Sequence, residues 1–175
     1  MMMSIQHILE RFEQSPKWTV YPPTGMPKPS EDFLAPKVKI PDEILYFYKL
    51  WGGLKSVIEV DEDLILSVVP PQEFSWAVRK LLGNTLEKQL SAQKEDRAWY
   101  WYVIGQGDTD EYFVIDLAPE RYGHCYFSKF YFFEQPGWTP VVATSFSGFL
   151  HNLYEASLVG ETWSWQKLAL GDAYD

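Results

Sequence analysis

The sequence predicts a single domain of the α+β class, in which helices pack against a mixed, mainly antiparallel sheet. Its 175 residues suit one domain. Apolar residues make up 46% of the chain and aromatic residues 17%, which is enough to build a core and excludes a disordered chain. Segments with the apolar spacing of helices occur together with segments rich in aromatic and β-branched residues, so the domain contains both helices and strands.

The first helix is predicted to begin after Ser4, which can cap it, and to end near Pro16. Its apolar residues recur at i, i+3, i+4 and i+7: Ile5, Ile8, Leu9 and Phe12. Between Pro16 and Pro41 repeated prolines remove backbone donors and resist helix, which predicts a long loop. Four apolar residues indicate that this loop packs on the domain: Trp18, Tyr21, Phe33 and Leu34.

A second helix is predicted to open at Pro41, because Asp42 and Glu43 place negative charge at its positive end. The pair Gly52–Gly53 is predicted to stop it. Its apolar stripe consists of Ile44, Phe47, Tyr48 and Trp51.

Two short strands, Val57–Val60 and Leu64–Val69, are predicted to form a hairpin around an acidic turn. A third helical pattern follows Pro70–Pro71 and is interrupted at Gly83. It consists of Phe74, Ala77, Val78, Leu81 and Leu82. The polar stretch Ser91–Arg97 is expected to be a surface connection.

The main sheet is predicted in the second half of the chain. Trp99–Ile104 is apolar on both alternating faces, which suits a central strand covered on both sides. Tyr112–Leu117 is its expected partner across the loop Gly105–Glu111. The aromatic segment His124–Phe133 favours a strand packed in the core, because a single cation gives it little attraction for nucleic-acid phosphates. Pro140–Ala143 suits an edge strand.

A final helix is predicted with Thr144 or Ser145 as its cap. Its stripe consists of Phe146, Phe149, Leu150, Leu153 and Tyr154. The tail from Val159 carries Trp163 and Trp165 and is either a docked element or an extension that binds a partner.

Charge and cysteine content narrow the function and the compartment. The chain has 15 basic and 24 acidic residues, a formal net charge of −9, which argues against a nucleic-acid partner. Cys125 is the single cysteine, so no disulfide forms within one chain, and a reducing cytoplasm is the expected location. A basic leader and an apolar run of membrane-spanning length are both missing, so we expect neither export nor membrane insertion.

Local motifs predict no catalytic, metal or cofactor site. Gly105 and Gly107 begin a dinucleotide fingerprint, but the third glycine is missing and a strand follows, which favours a hairpin turn. The acidic residues from Asp108 onward lack the spacing of a calcium loop. His124 and Cys125 are adjacent in a predicted strand and point to opposite faces, so Cys125 is interpreted as a buried structural residue.

Five short segments, taken in order, resemble the SMI1/KNR4 family of the SUKH superfamily. They are Ile40-Pro41, Trp51-Gly52-Gly53, Ile104-Gly105-Gln106-Gly107-Asp108, Ile115-Asp116-Leu117, and Thr144-Ser145-Phe146 leading to Phe149-Leu150. The resemblance covers about residues 25–158, which makes 1–158 the expected SMI1/KNR4-like domain and 159–175 a C-terminal extension. It implies a single α+β domain with helices packed against a mixed sheet.

The resemblance also implies a non-catalytic role, because many bacterial relatives are immunity proteins that bind and block a toxin, while fungal relatives are regulatory scaffolds. An immunity protein against a basic toxin is therefore the first hypothesis, since opposite charge speeds encounter. A scaffold that docks through the proline loop and the tail is the second. A hydrolase with unrecognised residues is the third.

The expected contact surface combines acidic turns that steer a cationic toxin with one or two aromatic anchors. The acidic candidates are Asp61, Glu62, Asp63, Asp108, Asp110 and Glu111, and the aromatic candidates are Trp51 and Trp99.

Overall fold

The computed structural model of the chain describes residues 4–58, 64–83, 96–159 and 164–175. Within these ranges the fold has four α-helices and one eight-stranded sheet. The helices are α1 (Ile5–Gln14), α2 (Asp42–Leu50), α3 (Ala77–Leu82) and α4 (Phe146–Val159). The strands are β1 (Trp18–Tyr21), β2 (Gly53–Ile58), β3 (Leu64–Val68), β4 (Ser75–Trp76), β5 (Trp101–Gln106), β6 (Glu111–Asp116), β7 (Cys125–Lys129) and β8 (Val141–Ala143).

The sheet is open, with the order β1-β2-β3-β5-β6-β7-β8, and β4 pairs with β5 beside that path. Every strand pairing among the described residues is antiparallel, so the α+β prediction is confirmed and the sheet has no parallel component there. The connections from β5 to β6 and from β6 to β7 are short, and a short hairpin joins only antiparallel neighbours. β8 lies at an edge, as Pro140–Ala143 predicted.

The predicted start of α1 and of α4 is confirmed by their caps. The Ser4 hydroxyl accepts the His7 N–H at 3.4 Å, and the Ser145 hydroxyl accepts the Gly148 N–H at 3.1 Å. The two helices pack together, since Arg11 Nη2 lies 2.8 Å from Glu155 Oε1. No helix in the described ranges is long and apolar enough to cross a membrane.

The long proline loop of the prediction contains a strand that the sequence analysis missed. β1 covers Trp18–Tyr21, and its β-branched and aromatic residues pair with β2 before the prolines begin at Pro22. Phe33 was predicted to pack on the domain, but its side chain is 76% exposed. Tyr21 is also exposed, whereas Leu34 packs against the core as predicted. A polar contact adds to this packing, because Asp32 Oδ2 lies 2.6 Å from Arg79 Nη2.

Several predicted boundaries shift. β2 begins at Gly53 rather than Val57, and Gly53 has φ of +134°, a conformation that favours glycine. The helix expected from Phe74 begins at Ala77, after the two residues of β4, and its continuation beyond Gly83 lies outside the described residues. β5 begins at Trp101, because Arg97–Tyr100 forms a 3₁₀ turn capped by Asp96.

The core fills both faces of the second half of the sheet but only one face of its first half. On the covered face Trp18 of β1 packs edge-on against Phe12 of α1, with ring centroids 4.8 Å apart. The strand register places Thr19, Lys55 and Ser67 together on the other face, where they are only partly covered or exposed. This second face of β1–β3 is called the open face below.

Candidate binding surface

The hairpin turn between β5 and β6 brings together the predicted carboxylates of Asp108, Asp110 and Glu111. The Gly107 N–H donates to the Glu111 carbonyl and the Glu111 N–H donates to the Asp108 carbonyl, both at 3.0 Å. This hairpin confirms the interpretation of the glycine-containing segment as a turn. Residues 108–111 are called the acidic turn.

The three carboxylates of the acidic turn have different environments. Asp108 is exposed and accepts hydrogen bonds from Thr109, and Asp110 is partly exposed. Among the described residues no cation forms an ion pair with either of them. Glu111 is different, because its Oε1 lies 3.1 Å from Lys129 Nζ and its Oε2 accepts the Asp108 N–H at 3.2 Å. Asp108 and Asp110 therefore present charge to solvent, while Glu111 holds the turn.

A groove of about 650 Å³ runs along the open face and ends at the acidic turn. Its walls include Tyr21, Lys55 and Ser67, with Asp108 and Thr109 at the end that the turn closes. This groove was not predicted, since the face that forms it depends on the pairing of β1 with β2. The alternation Trp18, Thr19, Val20, Tyr21 carried a weak signal of that pairing.

An exposed aromatic pair, Phe130 and Tyr131, lies next to the acidic turn. The Phe130 N–H donates to the Asp110 carbonyl at 2.8 Å. The side chains are 48% and 74% exposed, and their rings meet edge-on with centroids 5.5 Å apart. Both residues were predicted to lie in a core strand. This prediction is wrong, because β7 ends at Lys129 and the chain turns into a 3₁₀ segment, Phe130–Phe132.

The two predicted tryptophan anchors lie in the core. Trp51 is 6% exposed, and its indole N–H donates to Glu13 Oε1 at 3.2 Å. Trp99 is 4% exposed and packs edge-on against Trp76 with centroids 4.7 Å apart. Neither ring is presented to a partner, because Trp51 continues the buried stripe of α2 and Trp99 precedes β5. Asp61, Glu62 and Asp63 lie outside the described residues.

The comparisons with known proteins settle the family. The model of the SMI1 / KNR4 family (SUKH-1) matches residues 31–152. This chain belongs to the SMI1/KNR4 family. It is 30% identical to the immunity protein YokJ of Bacillus subtilis (strain 168) over 176 residues, which cover 99% of this chain and 97% of that protein. No solved structure matches the chain.

Two glycines of the SMI1/KNR4 resemblance have structural roles. A Cβ on Gly52 would lie 2.1 Å from the Pro22 carbonyl oxygen, and one on Gly105 would lie 2.5 Å from the Ser67 carbonyl oxygen. Any larger residue would therefore push apart the strands that line the groove.

Asp116, the acidic residue of the Ile-Asp segment, is fully buried and satisfied. Its carboxylate accepts hydrogen bonds from the Trp101 indole at 3.1 Å, the Tyr126 hydroxyl at 3.0 Å and Arg121 Nε at 2.8 Å. The Ala118 N–H adds a fourth donor at 2.9 Å. A buried carboxylate with this many donors holds the start of β5, the end of β6 and β7 together.

Cys125 is fully buried, as predicted, and burial raises the pKa of its thiol well above the usual value, so the reactive thiolate is disfavoured. In the part of the chain that the structure describes, no group of three or more His, Cys, Asp or Glu side chains could hold a metal ion.

Proposed function

We propose that this chain is an immunity protein that binds a basic toxin and neutralises it by covering part of its surface, without transforming a substrate. Membership of the SMI1/KNR4 family supports this, as does a relative named as an immunity protein that aligns over nearly the whole chain. The toxin partner, its basic surface and the non-catalytic mechanism are the parts that we propose.

The observation that carries the proposal is the acidic turn beside a groove. Asp108 and Asp110 have no ion-pair partner among the described residues, and the turn closes one end of a cleft of about 650 Å³. The chain as a whole carries a formal charge of −9. Complementary charge steers association and disfavours wrong partners even where it adds little affinity.

The open face is the largest part of the proposed contact surface that a partner could cover. Elsewhere both faces of the sheet are covered, whereas β1–β3 leave one face accessible next to the acidic turn. A stable complex of ordinary size buries roughly 800 Å² on each partner. A partner seated across the open face and the end of the acidic turn would cover one groove, because residues of both line it.

The decisive experiment measures association of this protein with the product of a neighbouring toxin gene in the native host. Charge reversal in Asp108→Lys/Asp110→Lys should slow association about tenfold at low salt, with a smaller effect at high salt. The matched control is Glu10→Lys/Glu31→Lys, which changes the net charge equally. Glu10 is exposed on α1, which packs against the covered face of the sheet.

Two results would count against the proposal. Equal slowing by both double variants would show that total charge, not the acidic turn, governs encounter. Recovery of no stable toxin partner on purification from the native host would argue against an immunity role altogether.

A further inference from the structure

We propose that the exposed aromatic pair, Phe130 and Tyr131, anchors an arginine side chain of the partner. This inference rests on the proposed function in one respect, because it requires a basic protein partner. The predicted anchors Trp51 and Trp99 are buried, whereas the rings of Phe130 and Tyr131 are exposed to a partner.

Hydrogen bonds tie the backbone of the pair to neighbouring segments, although its rings are exposed. The Phe130 N–H is bonded to the Asp110 carbonyl at 2.8 Å, and Gln135 Nε2 donates to the Tyr131 carbonyl at 3.2 Å. Two residues further on, Phe133 is buried and packs edge-on against Trp101 with centroids 5.9 Å apart. Anchored backbone and few rotatable side-chain bonds reduce the entropy lost on binding, which is the property that makes tyrosine effective at interfaces.

The surroundings of the pair favour a cation. The hydrogen bond from the Phe130 N–H to the Asp110 carbonyl places the backbone of the pair beside the acidic turn. Lys129, the residue before Phe130, is engaged with Glu111 at 3.1 Å across the strands. The carboxylates of Asp108 and Asp110 are therefore left for a cation from outside the chain.

Arginine fits this combination better than lysine. Its planar guanidinium stacks on an aromatic face while its N–H groups bind a carboxylate in a two-bonded fork. An ammonium group is more strongly hydrated and has no plane to stack. A second copy of this chain is disfavoured as the occupant, because it would bring a like-charged acidic surface to the acidic turn.

The experiment uses two synthetic peptides, acetyl-(Gly-Arg)₄-amide and acetyl-(Gly-Lys)₄-amide, titrated into the ¹⁵N-labelled full chain at low salt. The wild type should bind the arginine peptide about three times more tightly than the lysine peptide, with shifts concentrated at residues 108–111 and 129–133. Tyr131→Ala should abolish that preference. Tyr131→Phe, which keeps the ring, should retain it.

The matched control is Phe33→Ala, since Phe33 is also exposed but lies in the proline loop. It should leave the preference for arginine unchanged. Equal binding of the two peptides by the wild type, or binding of neither, would overturn the proposal. Self-association of the wild type that Tyr131→Ala abolishes would assign the rings to a contact between copies and would also overturn it.

Failure of this inference is distinguishable from failure of the proposed function. A Tyr131→Ala variant that binds the toxin as well as wild type, while Asp108→Lys/Asp110→Lys slows association, would remove the aromatic anchor and keep the immunity role. Discrimination between the peptides without any toxin partner would keep the arginine site and remove the immunity role.

Discussion

Glu111 and Lys129 lie directly opposite each other in β6 and β7, and 3.1 Å separates Glu111 Oε1 from Lys129 Nζ. Glu111 also accepts the backbone N–H of Asp108, and Lys129 immediately precedes Phe130. This cross-strand pair therefore connects the acidic turn to the aromatic pair, which come from separate parts of the sequence.

We expect the Glu111–Lys129 pair to be coupled but weak. A double-mutant cycle with Glu111→Gln and Lys129→Gln should give a coupling energy below about 1 kcal/mol, because both side chains are partly solvated. Urea unfolding of the four proteins measures it. A coupling energy clearly above about 1 kcal/mol would contradict this expectation.

Asp116→Asn should destabilise the fold strongly. The substitution removes the fully buried carboxylate that pairs with Arg121, whose Nε lies 2.8 Å away. Among the described residues the guanidinium then keeps only the exposed Glu120 as a carboxylate partner. Breaking one partner of a buried pair costs about 3–5 kcal/mol. Chemical unfolding should therefore show a lower midpoint with an unchanged dependence on denaturant.

Glu120→Gln is the matched control for Asp116→Asn. Glu120 is the second carboxylate bonded to Arg121, at 2.9 Å, but its side chain is largely exposed. Its loss should leave the unfolding midpoint nearly unchanged. An equally large loss of stability in both variants would contradict this prediction. It would show that losing either carboxylate partner of Arg121 is destabilising, whether or not that carboxylate is buried.

Glu134 should make the protein less stable as the pH rises. Burial, with a contribution from the nearby Asp96 carboxylate, raises the pKa of Glu134 from 4.5 to about 7. Because the folded state holds this proton more tightly than the unfolded state, the contribution of Glu134 to stability is full below pH 4.5 and is lost between about 4.5 and 7. With solvent screening allowed for, the loss should be about 1–2 kcal/mol.

Glu134→Gln isolates this contribution from the other titrating groups. The variant should be more stable than wild type at pH 8 and should lose that advantage at pH 4. The difference in unfolding free energy between the two proteins, followed from pH 4 to pH 8, is the quantity to measure. A constant difference across this range would contradict the raised pKa.

Elements defined by local signals were predicted well. The cap at Ser4 and the i, i+3, i+4 spacing defined α1 nearly to the residue, and Ser145 did the same for α4. The N-cap and the apolar spacing are properties of the helix's own residues, so both helices can be predicted without knowledge of distant contacts. β1 was missed, because a four-residue strand is stabilised mainly by its pairing with β2, about 35 residues away.

In the candidate surface, too, the residues defined by local signals were predicted and those defined by distant contacts were not. The acidic turn at Asp108 was located because turn residues and charges are read directly from the sequence. Trp51 was predicted as an anchor, but its side chain is only 6% exposed, because a tryptophan at the end of a buried stripe packs in the core. The exposure of Phe130 and Tyr131 depends on where β7 ends, and the pairing register determines that end. The continuous run of aromatic residues gives no sign of it in the sequence.

Trp165 should be as important to stability as a residue of the matched family region, although that region ends at 152. Its ring lies 5.1 Å from the Phe113 ring and 6.0 Å from the Phe127 ring, measured between centroids, and its side chain is 9% exposed. Trp165→Ala should therefore reduce the unfolding free energy by about 3–5 kcal/mol. Leu170→Ala, a control in the same segment with a largely exposed side chain, should have little effect. A small loss for Trp165→Ala would mean that the segment is displaced in solution, and limited proteolysis of the wild type should then remove it without unfolding the domain.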